Sequence, residues 1–355
     1  MASVLPVDLD FLAARLHGRR GHVAESQRLD ALCRLRSMPD LVRALAPGAH
    51  FTSFAGFQQG LILQMLDELS DFASQLDGAG AALMAWLRVR IQVENLKVLA
   101  RGFATGKSGE VVRPYLVPLP ADLQVDFEAL TRADSFESFL AAAPAGVLRA
   151  GLAEAAAAYQ ELPRPIVLEA ALDRAYFRQL LQRTRALPRD ARPDSLTLAN
   201  QEVDTFHLML VVRGRWTYGL PPAQLLDWHV GGTRITRDGF RRMLEADSLQ
   251  LAAQGAVGPV LDRLPQENEG LLGAGRQGSL DAATLETLAW NRYLRLARRA
   301  FRNNHMGLGA VVAFTAIRRI EVANLITLSE GIRTDMEPGA IRRRLVPSDE
   351  EAGRV

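Results

Sequence analysis

Apolar residues recur with helical spacing along almost the whole chain. Leu83, Leu87, Ile91 and Val98 fall on one face of a helix, and Val89, Val93, Leu96 and Ala100 fall on another. A helix apolar on two sides is buried between neighbours. The same reading predicts helices over 7–20, 27–46, 54–76, 80–101, 124–142, 145–160, 164–186, 197–213, 222–229, 237–254, 281–301, 306–330 and 337–345. Between them lie Pro- and Gly-rich breaks: Pro47-Gly48, Pro114 to Pro120, Pro188 to Pro193, Pro221-Pro222, and Gly270 to Gly278. No stretch alternates apolar and polar residues long enough for a sheet.

Three patterns each occur three times, in the same order. The first reads Leu29, Leu32, Ser37, Met38, then Phe127, Leu130, Ser135, Phe136, then Phe240, Met243, Ser248, Leu249. A weaker one reads "LQMLDELSDF" from Leu63, "LEAALDRAYF" from Leu168 and "LETLAWNRYL" from Leu285. The last reads "VENLKVLARG", "TFHLMLVVRG" and "VANLITLSEG", aligned on Asn95, His207 and Asn324. Each anchor is followed by Leu and, seven positions on, by Gly102, Gly214 or Gly331; three positions before it stand Gln92, Asp204 and Glu321. Glycine takes the left-handed cap conformation without a Cβ penalty, so these three glycines are expected to end their helices. The expectation is an all-α chain of three similar helical bundles: residues 1–112, 113–221, and 222–355 with a C-terminal tail. Such a repeat predicts a ring-like, pseudo-threefold body or a short solenoid.

Composition narrows the chemistry. In 355 residues, 42 Lys and Arg face 40 Asp and Glu, a balance that does not mark a nucleic-acid binder. Cys33 is the single cysteine, so neither an internal disulfide nor a cysteine zinc site is expected. The longest nearly apolar run, about Met306 to Ile317, is too short to span a bilayer, which takes about 20 residues. "GFATGKSGE" has three residues between its glycines and follows a helix, so it reads as an inter-helix loop rather than a phosphate loop. None of the six histidines has metal-ligand spacing, and His207 reads as a polar residue bonded within its bundle. Asp204 and Glu321 recur in phase with the repeat, which points to a structural role, since a catalytic site is built once and in a cleft. The Arg clusters, Arg342 to Arg344 among them, read as solvated faces or a docking surface. No cofactor or metal site is expected.

At this point the chain resembles a family. "FLAARLHGRRG", "RVRIQVENLKVLARG", "LEAALDRAYFRQLL", "QEVDTFHLMLVVRGRWTYGLPP" and "GLGAVVAFTAIRRIEVANLITLSEGIRTDMEPGAIRRRLVP" look like the C subunit of the bacterial and archaeal V-type (A-type) ATPases, a relative of the eukaryotic V-ATPase d subunit. The likeness runs from about Phe11 to Pro347. It implies an all-helical, funnel-shaped protein of three bundles about a pseudo-threefold axis. It also implies a non-catalytic rotor subunit of the central stalk, peripheral on the cytoplasmic face of the membrane. Its partners would be the axle formed by the D and F subunits and the c-type proteolipid ring, in ATP-driven ion pumping or ion-driven ATP synthesis. No nucleic acid and no direct small-molecule ligand is implied. The polar spine positions Arg90, Asp204 and Glu321 are the candidate partner-interface residues. The alternative is a free helical scaffold or adaptor with other partners; an enzyme would need one polar cleft in one bundle only. Relatives often carry Asn where this chain has His207, and Lys-Glu where it has Arg318-Arg319.

Overall fold

The computed structural model describes residues 9–264, 280–304 and 306–347. The Gly270 to Gly278 break and the tail beyond Pro347 lie outside the described residues, as do the first two positions of the helix expected over 7–20. Among the described residues the chain is helical, with no β-strand and one isolated bridge between Val257 and Leu261. In chain order the helices are α1 (Leu9–Arg20), α2 (Ser26–Cys33), α3 (Met38–Leu45), α4 (Phe54–Ser74), α5 (Gly78–Ala104), α6 (Gly109–Val112), α7 (Phe127–Arg132), α8 (Phe136–Ala142) and α9 (Val147–Glu154). There follow α10 (Ala156–Glu161), α11 (Pro165–Arg185), α12 (Arg192–Met209), which runs on into a π-helical turn (Leu210–Thr217), and α13 (Pro222–Leu226). The last five are α14 (Arg237–Glu245), α15 (Leu249–Gln254), α16 (Ala282–Asn303), α17 (Leu308–Arg333) and α18 (Pro338–Arg343).

Three stretches expected as single helices, 27–46, 124–142 and 237–254, are each two short helices. The break falls at the recurrent serine each time. Ser37 accepts from the Asp40 N–H (3.3 Å), Ser135 from the Ser138 N–H (3.2 Å) and Ser248 from the Leu251 N–H (3.2 Å). A serine hydroxyl satisfies an orphan amide of a helix start, which favours a new helix there over a continuous one. The helix expected over 145–160 is likewise two, α9 and α10.

Packing divides the chain into two compact units. The first takes the described residues of Met1–Ala85, Ala186–Leu198 and Trp290–Val355; the second takes Trp86–Arg185 and Ala199–Ala289. In the first unit α17 packs along α4 and α1, with Phe72 and Phe314 edge to face at 5.9 Å. Its second cluster joins the two ends of the chain: Leu29, Leu32, Met38 and Leu41 pack with Leu325, Leu328, Ile341 and Leu345. In the second unit α9 lies on α11, Trp86 stacks on Tyr176 at 5.6 Å, and Phe103 stacks on Phe139 at 4.7 Å.

Gly102, Gly214 and Gly331 do not end their helices. Gly102 and Gly331 lie inside α5 and α17, and Gly214 lies inside the π-helical turn. Their role is close approach. A Cβ at Gly102 would stand 2.6 Å from Val112 Cγ2, at Gly214 2.6 Å from Leu225 Cδ2, and at Gly331 2.6 Å from Ile341 Cγ1. Each contacted side chain is buried and sits on the short helix that follows: α6, α13 or α18. The left-handed residue that ends the helix comes four or five positions later. Gly106 has φ +63°, Gly219 φ +65° and Asp335 φ +51°. The next residue then donates back to the spine glycine's carbonyl: Lys107 to Gly102 (2.9 Å), Leu220 to Gly214 (2.9 Å) and Met336 to Gly331 (2.8 Å). Between glycine and cap the second copy has one residue more than the others. The π-helical turn takes it up, with the Tyr218 N–H bonded to the Arg213 carbonyl at 2.8 Å. A wide turn absorbs an inserted residue without ending the helix.

Val112 and Ile341 are β-branched and each holds one rotamer in a helix, so Gly102 and Gly331 face stiffer neighbours than Gly214, which faces Leu225. Gly102→Ala is expected to lower stability by about 1–2 kcal/mol, overpacking outweighing the gain in helix propensity. Urea denaturation of the full chain measures it; a stabilised variant would contradict the close approach.

Candidate functional site

The residues singled out by the repeats lie on the spine helices α5, α12 and α17, where they hold the loop that follows each short helix. Asn95 donates from Nδ2 to the Val117 carbonyl (2.7 Å) and accepts at Oδ1 from the Val117 N–H (3.0 Å). Asn324 does the same to Val346, at 2.6 and 2.9 Å. Both donor and acceptor of one peptide residue are thereby satisfied by one primary amide. Such backbone groups need partners when a loop runs against a packed helix. His207 has the equivalent role with one bond: its Nε2 accepts from the Val230 N–H at 3.0 Å. The held valine lies 22 residues past the anchor in the first and third copies and 23 in the second, the extra residue being that of the π-helical turn.

The residues three positions earlier hold a second point. Gln92 donates to the Leu123 carbonyl (3.0 Å), and Asp204 accepts from the Ile235 N–H (3.2 Å). Glu321 accepts from the Ala24 N–H at 2.6 Å. Asp204 has no exposed surface and Glu321 keeps 6%. Both acids therefore act from inside the chain, on backbone. Arg90 lies at a different depth: its side chain keeps 19% exposure while paired with Asp173 (2.8 Å) and Glu94 (2.5 Å) and placed over the Tyr176 and Phe177 rings. Lys97 also reaches Asp173, at 3.0 Å. Arg90 and Asp204 belong to the second unit and Glu321 to the first.

The second copy is electrostatically distinct. His207 is fully buried and stacks on His229, ring centroids 4.6 Å apart and 12° from parallel. His229 Nε2 stands 2.9 Å from the Ile235 carbonyl, so it carries a proton there. His207 Nε2 accepts, so its proton is on Nδ1, which faces Asp204 Oδ1 at 3.8 Å. Burial holds the His207 imidazole below the usual histidine range, against the opposing pull of Asp204. Burial also lowers His229, against its bond to the Ile235 carbonyl. Arg234 stands 3.6 Å from the other Asp204 oxygen.

Sequence reasoning missed a network in the first unit. Arg318 bridges Glu68 (3.1 Å) and Glu321 (2.5 Å) and reaches Gln64 (3.3 Å), while Arg19 also pairs with Glu68. Arg318 and Glu321 stand one turn apart on α17, but Glu68 lies 250 residues from Arg318 along the chain, so local spacing does not announce the rest of the network. Beside them opens a cleft of about 390 Å³ lined by Arg19, His22, Arg28, Phe314 and Leu325. Its two carboxylates, Glu68 and Glu321, are each held by a guanidinium group. Among the described residues no group of three or more His, Cys, Asp or Glu side chains is placed to hold a metal ion. No described helix is long and apolar enough to cross a membrane.

The sequence profile described as "ATP synthase (C/AC39) subunit" matches residues 12–344, and the chain belongs to that family. It is 25% identical to the C subunit of the A-type ATP synthase of Methanothermobacter thermautotrophicus over 334 residues, covering 92% of this chain and 83% of that one. It is also 25% identical to the C subunit of the V-type ATP synthase of Deinococcus radiodurans over 370 residues, covering 96% and 92%. The C subunit of the A-type ATP synthase of Methanosphaera stadtmanae is 21% identical over 341 residues, covering 92% and 84%.

Because both imidazoles are lowered on folding, the fold prefers them neutral. Stability is then full above the free-histidine value of about 6.5 and falls as pH drops below it, by up to about 1.4 kcal/mol per pH unit for each group. His207→Asn, which supplies the amide of the other two copies, is expected to flatten that decline between about pH 6.5 and 5. Thermal midpoints of both proteins across this range measure it; identical slopes would remove His207 as a cause.

Proposed function

We propose that this chain is a rotor subunit of the central stalk of an A/V-type rotary ATPase. It couples an axle of D and F subunits to the membrane ring of c-type proteolipids, on the cytoplasmic face, and performs no chemistry itself. The observation that carries this reading is the likeness to C subunits of A- and V-type ATP synthases over nearly the whole of this chain and most of theirs. The repeated clasps support it physically. A torque coupler must be stiff, and backbone held at two points per spine helix resists shear better than apolar packing alone, since hydrogen bonds are directional.

We also propose the three-bundle division at 1–112, 113–221 and 222–355, arranged as a pseudo-threefold funnel whose mouth receives the axle. Arg90 is then a partner contact from the spine. Asp204 and Glu321 shape the same wall from within, by fixing the loops that end at Ile235 and Ala24.

Affinity capture of the tagged full chain from detergent-solubilised membranes tests the assignment. Other ATPase components, the D and F subunits and the proteolipid among them, are expected to travel with it. Capture of unrelated soluble partners only would favour the scaffold reading instead. Arg90→Gln is expected to cost about 1–2 kcal/mol of stability, since Lys97 still pairs with Asp173, and to weaken binding of the D–F axle severalfold. Unchanged axle affinity in titration calorimetry would take Arg90 out of the contact set.

A further inference from the structure

We propose that residues 21–45, which the division at 1–112 assigns to the first bundle, instead complete the module built on the last spine helix, α17, and so redraw that boundary. The ends of the chain thus meet in a clasp that side chains and packing close without covalent continuity. The observation is a shared order of parts. In the first copy the spine α5 is followed by the short helix α6, the held Val117, the second contact at Leu123, and then the helix pair α7–α8. In the second, α12 is followed by α13, Val230, Ile235 and the pair α14–α15. In the third, α17 is followed by α18 and Val346. The second contact is then made by Ala24, and the pair is α2–α3.

The correspondence holds in detail. Ala24 leads into α2 as Ile235 leads into α14 and Leu123 into α7. Ser37 caps the second helix of its pair as Ser135 and Ser248 cap theirs. The pair packs on its spine in each case. Phe139 of α8 stacks on Phe103 of α5 at 4.7 Å, and Phe240 of α14 meets His207 of α12 at 5.1 Å. Leu29, Leu32, Met38 and Leu41 bury against Leu325, Leu328 and Ile341. Charges reinforce the third junction: Arg342 pairs with Asp30 at 2.7 Å, Arg36 with Glu337 at 2.9 Å, and Arg298 with Glu25 at 3.4 Å. All these residues of the third junction lie in one compact unit. The inference stands on hydrogen bonds and packing and not on the rotary assignment, so either can fail without the other.

The physical consequence is specific. In the first two copies a covalent loop keeps the helix pair near its spine when contacts break. In the third, no loop runs from α18 to α2; the pair is held by the clasp and by its chain neighbours α1 and α4, which pack along α17, so loosening the clasp frees residues 21–45 and 338–347 together while α1 and α4 stay in place. Hydrogen–deuterium exchange of the full-length chain, read by peptide mass, tests this. Glu321→Ala is expected to speed exchange about tenfold in peptides of 21–45 and 338–347, leaving 127–142 and 237–254 unchanged. Asp204→Ala is expected to do the reverse, speeding 231–254 and sparing 21–45. Unchanged exchange over 21–45 in Glu321→Ala, or its acceleration in Asp204→Ala, would overturn the proposal. Should Glu321→Ala not fold, Arg342→Ala loosens the clasp from its other side. It is expected to speed 26–33 and 338–347 together, and acceleration of 338–347 alone would overturn the proposal equally.

Discussion

The structure depends on one constraint: a loop laid against a buried helix must find partners for its peptide groups. The chain meets it three times with a side chain on the spine. Asn95 and Asn324 each satisfy both groups of a valine, and His207 satisfies one. The rest follows from where these anchors hold the chain. Five residues before each held valine lies the buried side chain of Val112, Leu225 or Ile341, seated on a spine glycine. A few residues after it, or at Ala24 for the third copy, comes the contact with Gln92, Asp204 or Glu321, which sets where the next helix pair begins. An amide or carboxylate one turn apart on a helix thus fixes two points of a loop, because positions three apart share a face.

The second copy shows how much variation this arrangement tolerates. It carries one more residue, taken up in a π-helical turn, and a histidine in place of asparagine. Imidazole cannot both donate to and accept from one residue as a primary amide does. A neighbour adds a different hold on the same loop: His229 stacks on His207 and bonds the Ile235 carbonyl rather than that of Val230. An imidazole held below its usual range by burial is expected to bring a pH dependence that an asparagine at that position would not.

Much of this is legible in the sequence. The anchors, the residues three before them and the recurrent serines stand out by phase alone, and helix type follows from apolar periodicity. The spine glycines mislead. Glycine serves both at caps and where a neighbour comes too close for a Cβ, and only the position of Val112, Leu225 and Ile341 tells the two apart. The division of three expected helices at Ser37, Ser135 and Ser248 is available from the capping preference, but helical periodicity carries across a short break and conceals it. The Arg19–Glu68–Arg318–Glu321 network is only partly legible: Arg318 and Glu321 stand three apart on one helix, but their junction with Glu68 and Arg19 forms only when α17 packs along α1 and α4. The likeness to the C subunits of ATP synthases, like the repeat itself, extends over nearly the whole chain rather than resting on one local motif.

The central claim is that one backbone residue per copy is locked by the spine. Amide exchange at Val117, Val230 and Val346, resolved by NMR on the full-length chain, measures it directly. These three amides lie outside regular helix, yet the account predicts that they exchange as slowly as amides in the interior of α5 and α17. Exchange at the rate of neighbouring exposed loop amides would contradict it.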